Sequence, residues 1–128
     1  MEQNTTIQKN EVTCEKGVVI YRILAPVDDQ EGERLELAGQ AFLDRKEADR
    51  VLIDIQGSTE DFSAGARKQW AKILRHPNII KAAIFGGNTF VRTIATFVIG
   101  ATGRKNIKFF ATEKDAREWL YAPIESHP

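Results

Sequence analysis

Between Phe62 and Thr112 the chain contains no aspartate or glutamate, although those 51 residues carry nine lysines or arginines. Positive charge there must find its counter-charge elsewhere. Residues 1–61 hold seven bases against fourteen acids, net −7, and residues 62–128 hold eleven against four, net +7, so the formally neutral molecule is bipolar. Overall neutrality disfavours broad, salt-driven nucleic-acid binding, and no nucleic-acid partner is expected. The single cysteine, Cys14, has no intrachain partner, which excludes a disulfide scaffold and fits a reducing compartment. With only two histidines, His76 beside Pro77 and His127 near the C-terminus, no Cys, His and carboxylate spacing suggests a metal site. Apolar runs fall short of the ~20 residues of a membrane span. The polar stretch Met1–Asn10 lacks a secretory-signal pattern, so the expected location is cytoplasmic.

What is present is a chain of 128 residues, 42% hydrophobic, enough for one domain with its own core. The expected domain spans 1–128, with a core at about 5–122 and a tail at 123–128. Thr5–Thr13 and Gly17–Leu24 are rich in Val, Ile, Thr and Tyr and read as a hairpin turning at Gly17. Pro26 and the acids Asp28, Asp29 and Glu31 introduce a helix reaching about Lys46, with Leu35, Ala38 and Phe42 toward the core. Val51–Ile55 is a short apolar strand. Ser63 then caps a helix with Ala66, Trp70, Ile73 and Leu74 inward, Arg67, Lys68, Lys72 and Arg75 outward, and His76-Pro77 at its end. Ile79–Phe85 is a buried strand, Gly86-Gly87-Asn88 a tight turn, and Thr89–Thr102 a third helix stopped by Gly103. Ile107–Ala111 is the last strand. Thr112 and Asp115 start a final helix burying Ala116, Trp119 and Leu120. Strands joined by crossover helices pair in parallel, so the order ββαβαβαβα predicts an α/β fold: a mixed sheet with helices packed on it.

Chemistry is sparse in this pattern. Cys14 lies beside a turn with neither histidine near it in sequence, so it lacks a base and reads as a bystander thiol. Asp54, a carboxylate inside an apolar strand, is read as a structural hydrogen-bonding group. Gly86-Gly87-Asn88 opens a helix without forming a P-loop or dinucleotide fingerprint. The bases and aromatics around Arg104, Lys105, Lys108, Phe109 and Phe110 imitate a nucleic-acid platform but fit buried strand aromatics better. No nucleophile and base can be paired, no cofactor is implied, and the expectation is a protein that is not an enzyme.

The helix at 89–102 gives a sharper signal. At ~100° per residue, Phe90, Val91, Ile94, Ala95, Phe97, Val98, Ile99 and Ala101 cover roughly 200°, wider than the stripe needed for one-sided packing. The surplus apolar flank, with Arg92, Arg104 and Lys105 beside it, suits a lipid-like anionic molecule or an anionic membrane surface. The expected site is therefore Phe90, Val91, Ile94, Phe97, Val98 and Ile99 with those three cations. The competing explanation is a helix packed between the sheet and its neighbours, with Arg92 and Lys105 solvated.

Several local patterns resemble the STAS superfamily of anti-sigma-factor antagonists. Val51-Leu52-Ile53-Asp54-Ile55-Gln56-Gly57 looks like its hydrophobic third strand, and Phe62-Ser63-Ala64-Gly65 falls where antagonists carry Asp-Ser-Ser-Gly. The nearer resemblance, over roughly 17–121, is to the SpoIIAA-like branch, through Lys81-Ala82-Ala83-Ile84-Phe85, Lys108-Phe109-Phe110 and the acidic helix ending Glu118-Trp119-Leu120. That branch is suggested to be distantly related in fold to CRAL-TRIO lipid carriers. Combined with the apolar flank of the helix at 89–102, the resemblance leads to the expectation of a non-enzymatic STAS-like regulatory domain that binds a lipid-like molecule along that helix or docks at the inner face of the membrane. Its alternative is a protein-interaction module with a phospho-switch near Ser63; a protein partner or a homodimer is compatible with either. Aligning Gly65 with the motif glycine puts Ala64 at the phosphorylated position, leaving Ser58, Thr59 and Ser63 as candidate hydroxyls.

Overall fold

The computed structural model describes residues 9–57 and 63–123. Five strands and four helices follow in the expected order: β1 (Glu11–Glu15), β2 (Val18–Arg22), α1 (Asp29–Asp44), β3 (Arg50–Asp54), α2 (Ala64–Leu74), β4 (Lys81–Phe85), α3 (Thr89–Thr102), β5 (Ile107–Phe110) and α4 (Glu113–Tyr121). One sheet holds the strands in chain order, with β1 antiparallel to β2 and the other pairs parallel. Lys16 and Gly17 both take positive φ, 52° and 80°, forming a two-residue turn that carries pairing to Glu15 opposite Val18. The first strand therefore extends beyond the expected Thr13; residues 5–8 of the expected range lie outside the described residues.

Three successive crossovers advance across the sheet in one direction, so α1, α2 and α3 share a face and α4 covers the other. Strand residues alternate accordingly. Val19, Tyr21, Val51, Ile53, Ala82 and Ile84 face the three helices, whereas Val18, Ile20, Leu52, Ala83 and Phe85 meet Ala116 and Leu120 of α4. Each helix starts with a short polar cap: Asp28, Ser63, Asn88 and Thr112 accept from the backbone N–H of Glu31, Ala66, Val91 and Asp115. Gly103, in the left-handed region at φ 69°, ends α3.

Two cations, the buried Lys81 and the partly buried Arg50, close the C-terminal end of α4. Lys81 donates from Nζ to the carbonyls of Trp119 (2.7 Å) and Ala122 (3.0 Å), and Arg50 donates from Nε to that of Leu120 (2.6 Å), fixing the negative end of α4. At the N-terminal side, the buried Asn10 accepts from Leu24 N and Ala25 N and donates to Glu31, tying β1 to the start of α1. Arg34, hydrogen-bonded to the same carboxylate, holds Glu31 below its usual range. This contribution to stability is present above the unfolded carboxylate pKa and disappears as pH falls through the lower folded one.

The core differs from expectation in three side chains. Leu35 is fully buried, but Ala38 and Phe42 are only partly so, and the helix face turns instead on Gly32, Gly39 and Leu43. Trp119 likewise lies half-buried against Phe110, between the ammonium groups of Lys81 and Lys108. Trp70, 5% exposed, packs edge-on to Tyr21 at 5.2 Å. Trp70→Ala should therefore cost about 3–5 kcal/mol in chemical denaturation. Phe42→Ala and Trp119→Ala should each cost clearly less, and equal losses for all three would contradict this burial pattern.

Candidate functional site

The start of α2 brings together groups from two helices. Ser63, in extended backbone, caps α2 through its hydroxyl, which accepts from Ala66 N (3.0 Å) and donates to Asp29 Oδ1 of α1 (2.5 Å). Its own N–H donates to Val27 O (3.2 Å). Asp29 thus has a role beyond the expected dipole compensation in the first turn of α1: its carboxylate lies across the positive end of α2. Gly65 makes this possible, because a Cβ there would collide with that carboxylate. Ser58 and Thr59 lie outside the described residues.

The nine expected residues on and beside α3 divide. Val91, Ile94 and Val98 are buried with Ala95 against the sheet and α2. Phe90 and Phe97 are 51% and 74% exposed; Phe97 lies on the shoulder of α3 that faces α2, and Phe90 precedes it by seven residues, about two helical turns. Ile99 is partly buried against the core, on the side where Phe109 of β5 also packs. Arg92 lies over the Phe109 ring at 5.0 Å. Arg104 is structural, because its guanidinium donates to the carbonyls of Leu74 (3.1 Å), His76 (2.7 Å) and Ile79 (2.8 Å) and so closes the end of α2. Lys105 is exposed. The helix therefore offers two exposed phenylalanines, while the cavity beneath it, lined by Trp70, Leu74, Ile84 and Val98 among others, measures about 30 Å³, room for about one water.

Other candidates resolve into structural roles. Asp54 accepts from Arg22 Nη1 (2.7 Å) and Gln56 N (2.9 Å), as its hydrogen-bonding assignment requires. His76 Nδ1 accepts from Asn78 N (3.0 Å), so Nε2 bears the proton shared with Asp44 at 2.6 Å, which pins the end of α1 to the α2–β4 turn. Burial, with Glu47 nearby, pushes the Cys14 thiol above its ordinary pKa, away from thiolate chemistry. Gly86 and Gly87 take φ of 90° and 84°, and a Cβ would strike Gln56 at the first and crowd Ile55 at the second, a turn shaped by packing. Among the described residues there is no group of three or more His, Cys, Asp or Glu suited to a metal, and no helix long and apolar enough to cross a membrane.

A five-stranded mixed sheet with three helices on one face and one on the other is the STAS-type α/β architecture. The profile of the SpoIIAA-like family matches residues 18–121, and the chain belongs to that family. Among solved structures it is similar to a Shewanella loihica protein with a SpoIIAA-like fold, at 20% identity and TM-score 0.67 over 93% of this chain and 99% of that one. The anti-sigma factor antagonist SpoIIAA in its unphosphorylated form matches at 10% identity and TM-score 0.65, over 88% of this chain and 97% of that one. The phosphorylated Bacillus cell fate determinant SpoIIAA matches at 11% and 0.64, over 88% and 99%. These likenesses show the fold. No curated protein sequence matches significantly.

Sequence reasoning missed Asp29 as the acceptor for Ser63, and it missed that Arg67, Lys68 and Arg75 lie beside Phe97. The signal for the second was available: consecutive parallel crossovers place α2 and α3 side by side. The Asp29 contact yields a test with a change of sign. Gly65→Ala should destabilise the wild-type protein despite alanine's advantage of about 1 kcal/mol in helices. In an Asp29→Ala background the same substitution should become neutral or stabilising. Equal effects in both backgrounds, measured by thermal melting, would remove Asp29 from the site.

Proposed function

We propose that this protein is a regulatory protein-interaction module of the anti-sigma-antagonist type, without catalytic activity, controlled by phosphorylation at the β3–α2 junction. The observation that carries the reading is the Ser63 hydroxyl at the start of α2, held against Asp29 in the segment equivalent to the antagonist motif. A phosphoryl group on Ser63 would add nearly two negative charges beside a carboxylate, and the repulsion would open the clasp between α1 and α2. The switch would act by loosening the surface that a partner reads. Ala64 cannot take part, which leaves Ser63, or Ser58 and Thr59 upstream, as the acceptor.

Two measurements test this. Protein purified from its native host should carry one phosphoryl group that fragmentation assigns to Ser63, Ser58 or Thr59; a uniformly unmodified protein would count against the switch. Ser63→Ala should lower stability by about 1 kcal/mol, the value of a lost cap. Although aspartate is ordinarily a good cap, Ser63→Asp should lower it further, because Asp29 is already there. Equal or higher stability of the aspartate variant would sink the electrostatic mechanism.

A second reading, docking of α3 on an anionic membrane or a lipid-like ligand at the cytoplasmic face, is favoured by the exposed Phe90 and Phe97. An acyl chain beneath α3 would require the helix to move, since the present cavity is about 30 Å³. Phe97 is a better probe of the open surface than Ile99, which touches the core. Phe97→Asp should leave the melting temperature near wild type and abolish co-sedimentation with phosphatidylserine vesicles at low salt. Wild-type protein that ignores such vesicles would end this reading.

A further inference from the structure

Of the nine cations in the acid-free stretch, five engage a carboxylate, an aromatic ring or backbone carbonyls within 3.1 Å. Lys72 pairs with Glu36, Lys81 closes α4, Arg104 closes α2, Arg92 covers Phe109, and Lys108 lies over Trp119. Arg67, Lys68, Arg75 and Lys105 are exposed and make none of these contacts. Three of these four line a single feature, an open groove of about 400 Å³ between α2 and α3. Arg75 reaches across its end to Ala101 O at 3.4 Å, and neither Arg67 nor Lys68 has an acidic partner among the described residues. The opposite wall is apolar: Phe97, Val98 and Ala101. Phe90 continues the same shoulder seven residues before Phe97, and the short side chain of Ala71 keeps the floor low.

We propose that this groove receives one acidic amphipathic helix of a protein partner, with apolar side chains against Phe97 and Ala101 and carboxylates facing Arg67, Lys68 and Arg75. This inference rests on the interaction-module reading and specifies the partner's chemistry. Charge complementarity selects an acidic occupant, since the groove is cationic on one wall and no carboxylate occurs anywhere in residues 62–112. Shape selects a helix. α2 and α3 both run back between parallel strands and so lie parallel to each other, forming a channel into which a cylinder ~10 Å across can settle and present residues at i, i+4 and i+7. A flat bilayer would touch the crest at Phe97 without reaching Val98, which is 7% exposed. A second copy offering the outer face of α1, with Glu33 and the 61% exposed Leu37, would make a head-to-tail contact that does not close on itself.

The test is a nitrogen-edited NMR titration of the full chain with a synthetic helical peptide carrying leucines at i, i+4 and i+7 and glutamates on one flank. Expected shifts concentrate on Arg67, Lys68, Ala71, Arg75, Phe97 and Ala101. Phe97→Ala should weaken binding by about tenfold or more, as loss of a buried aromatic anchor does. Paired Arg67→Glu and Lys68→Glu should weaken it by about fivefold at low salt, with the difference shrinking as salt rises. Both positions are exposed, so unchanged melting temperatures will separate lost contact from unfolding. The proposal is overturned if shifts are absent or fall on α4, if a lysine-flanked version of the peptide binds equally well, or if phosphatidylserine vesicles perturb these residues and the peptide does not. Concentration-dependent mass in sedimentation, abolished by Leu37→Glu, would overturn it in favour of self-association. Phosphorylation at the β3–α2 junction would stand or fall separately, because its readout is the mass of the native protein.

Discussion

The arrangement of the three-helix face depends on how closely α1 approaches the sheet at Gly39. The fully buried Tyr21 side chain occupies the space that a Cβ at Gly39 would need, so any larger residue would lift the helix or displace the ring. Gly32 makes the corresponding allowance toward α2, where an added Cβ would lie 3.3 Å from Gln69. With α1 held down at one point and against its neighbour at another, Asp29 in its first turn falls over the beginning of α2. The Ser63 clasp is thus a consequence of packing several turns away. The Tyr21 hydroxyl gains no hydrogen bond from this position, and burial with Glu36 nearby drives its pKa well above the ordinary tyrosine value. Its ring contributes through contact with Trp70 and through filling the space under α1.

Charge follows a comparable division between interior and surface. A buried cation is costly unless hydrogen-bonded, and the buried Lys81 meets that requirement, as does the partly buried Arg104, with backbone carbonyls near helix ends instead of with carboxylates. A stretch without acids can therefore fold compactly because helix termini supply the negative partial charges. Three of the four cations left over, Arg67, Lys68 and Arg75, lie on the outer side of α2 or at its end. Their clustering beside an apolar shoulder reflects the topology, since neighbouring crossover helices must present adjacent flanks.

Features set by local sequence were legible from the start. Ser63, Thr112 and Gly103 occupy helix ends because short side chains or a left-handed backbone solve a local hydrogen-bonding problem, whereas Asn88, read only as part of a turn, also proves to be a cap. Element order and sheet pairing followed from periodicity and crossover length. Less legible was which side of an amphipathic helix would remain uncovered. The angular arc of α3 treats Ile99 and Phe97 alike, yet the Ile99 side is covered by core contacts near β5 while the Phe97 side faces α2 across an open groove. Arg104 posed a similar difficulty. Its position after Gly103 suggested a free cation beside the helix, whereas its length lets it reach carbonyls at the end of α2, a contact 25 to 30 residues distant in sequence.

The antagonist-like segment illustrates why a motif must be read with its surroundings. Ala64 removes the hydroxyl from one position, and Asp29 adds an anion beside the next, so the start of α2 already has much of its positive potential satisfied before any modification. A phosphate arriving at a vacant helix terminus is stabilised by it; one arriving at Ser63 must displace a carboxylate. α1 and α2 meet at that clasp, and α2 also forms the cationic wall of the groove. Ser63, which caps α2, and Arg67 and Lys68, which line the groove, therefore belong to one helix, so the hydrogen bonds that fix its start also fix where those two cations stand.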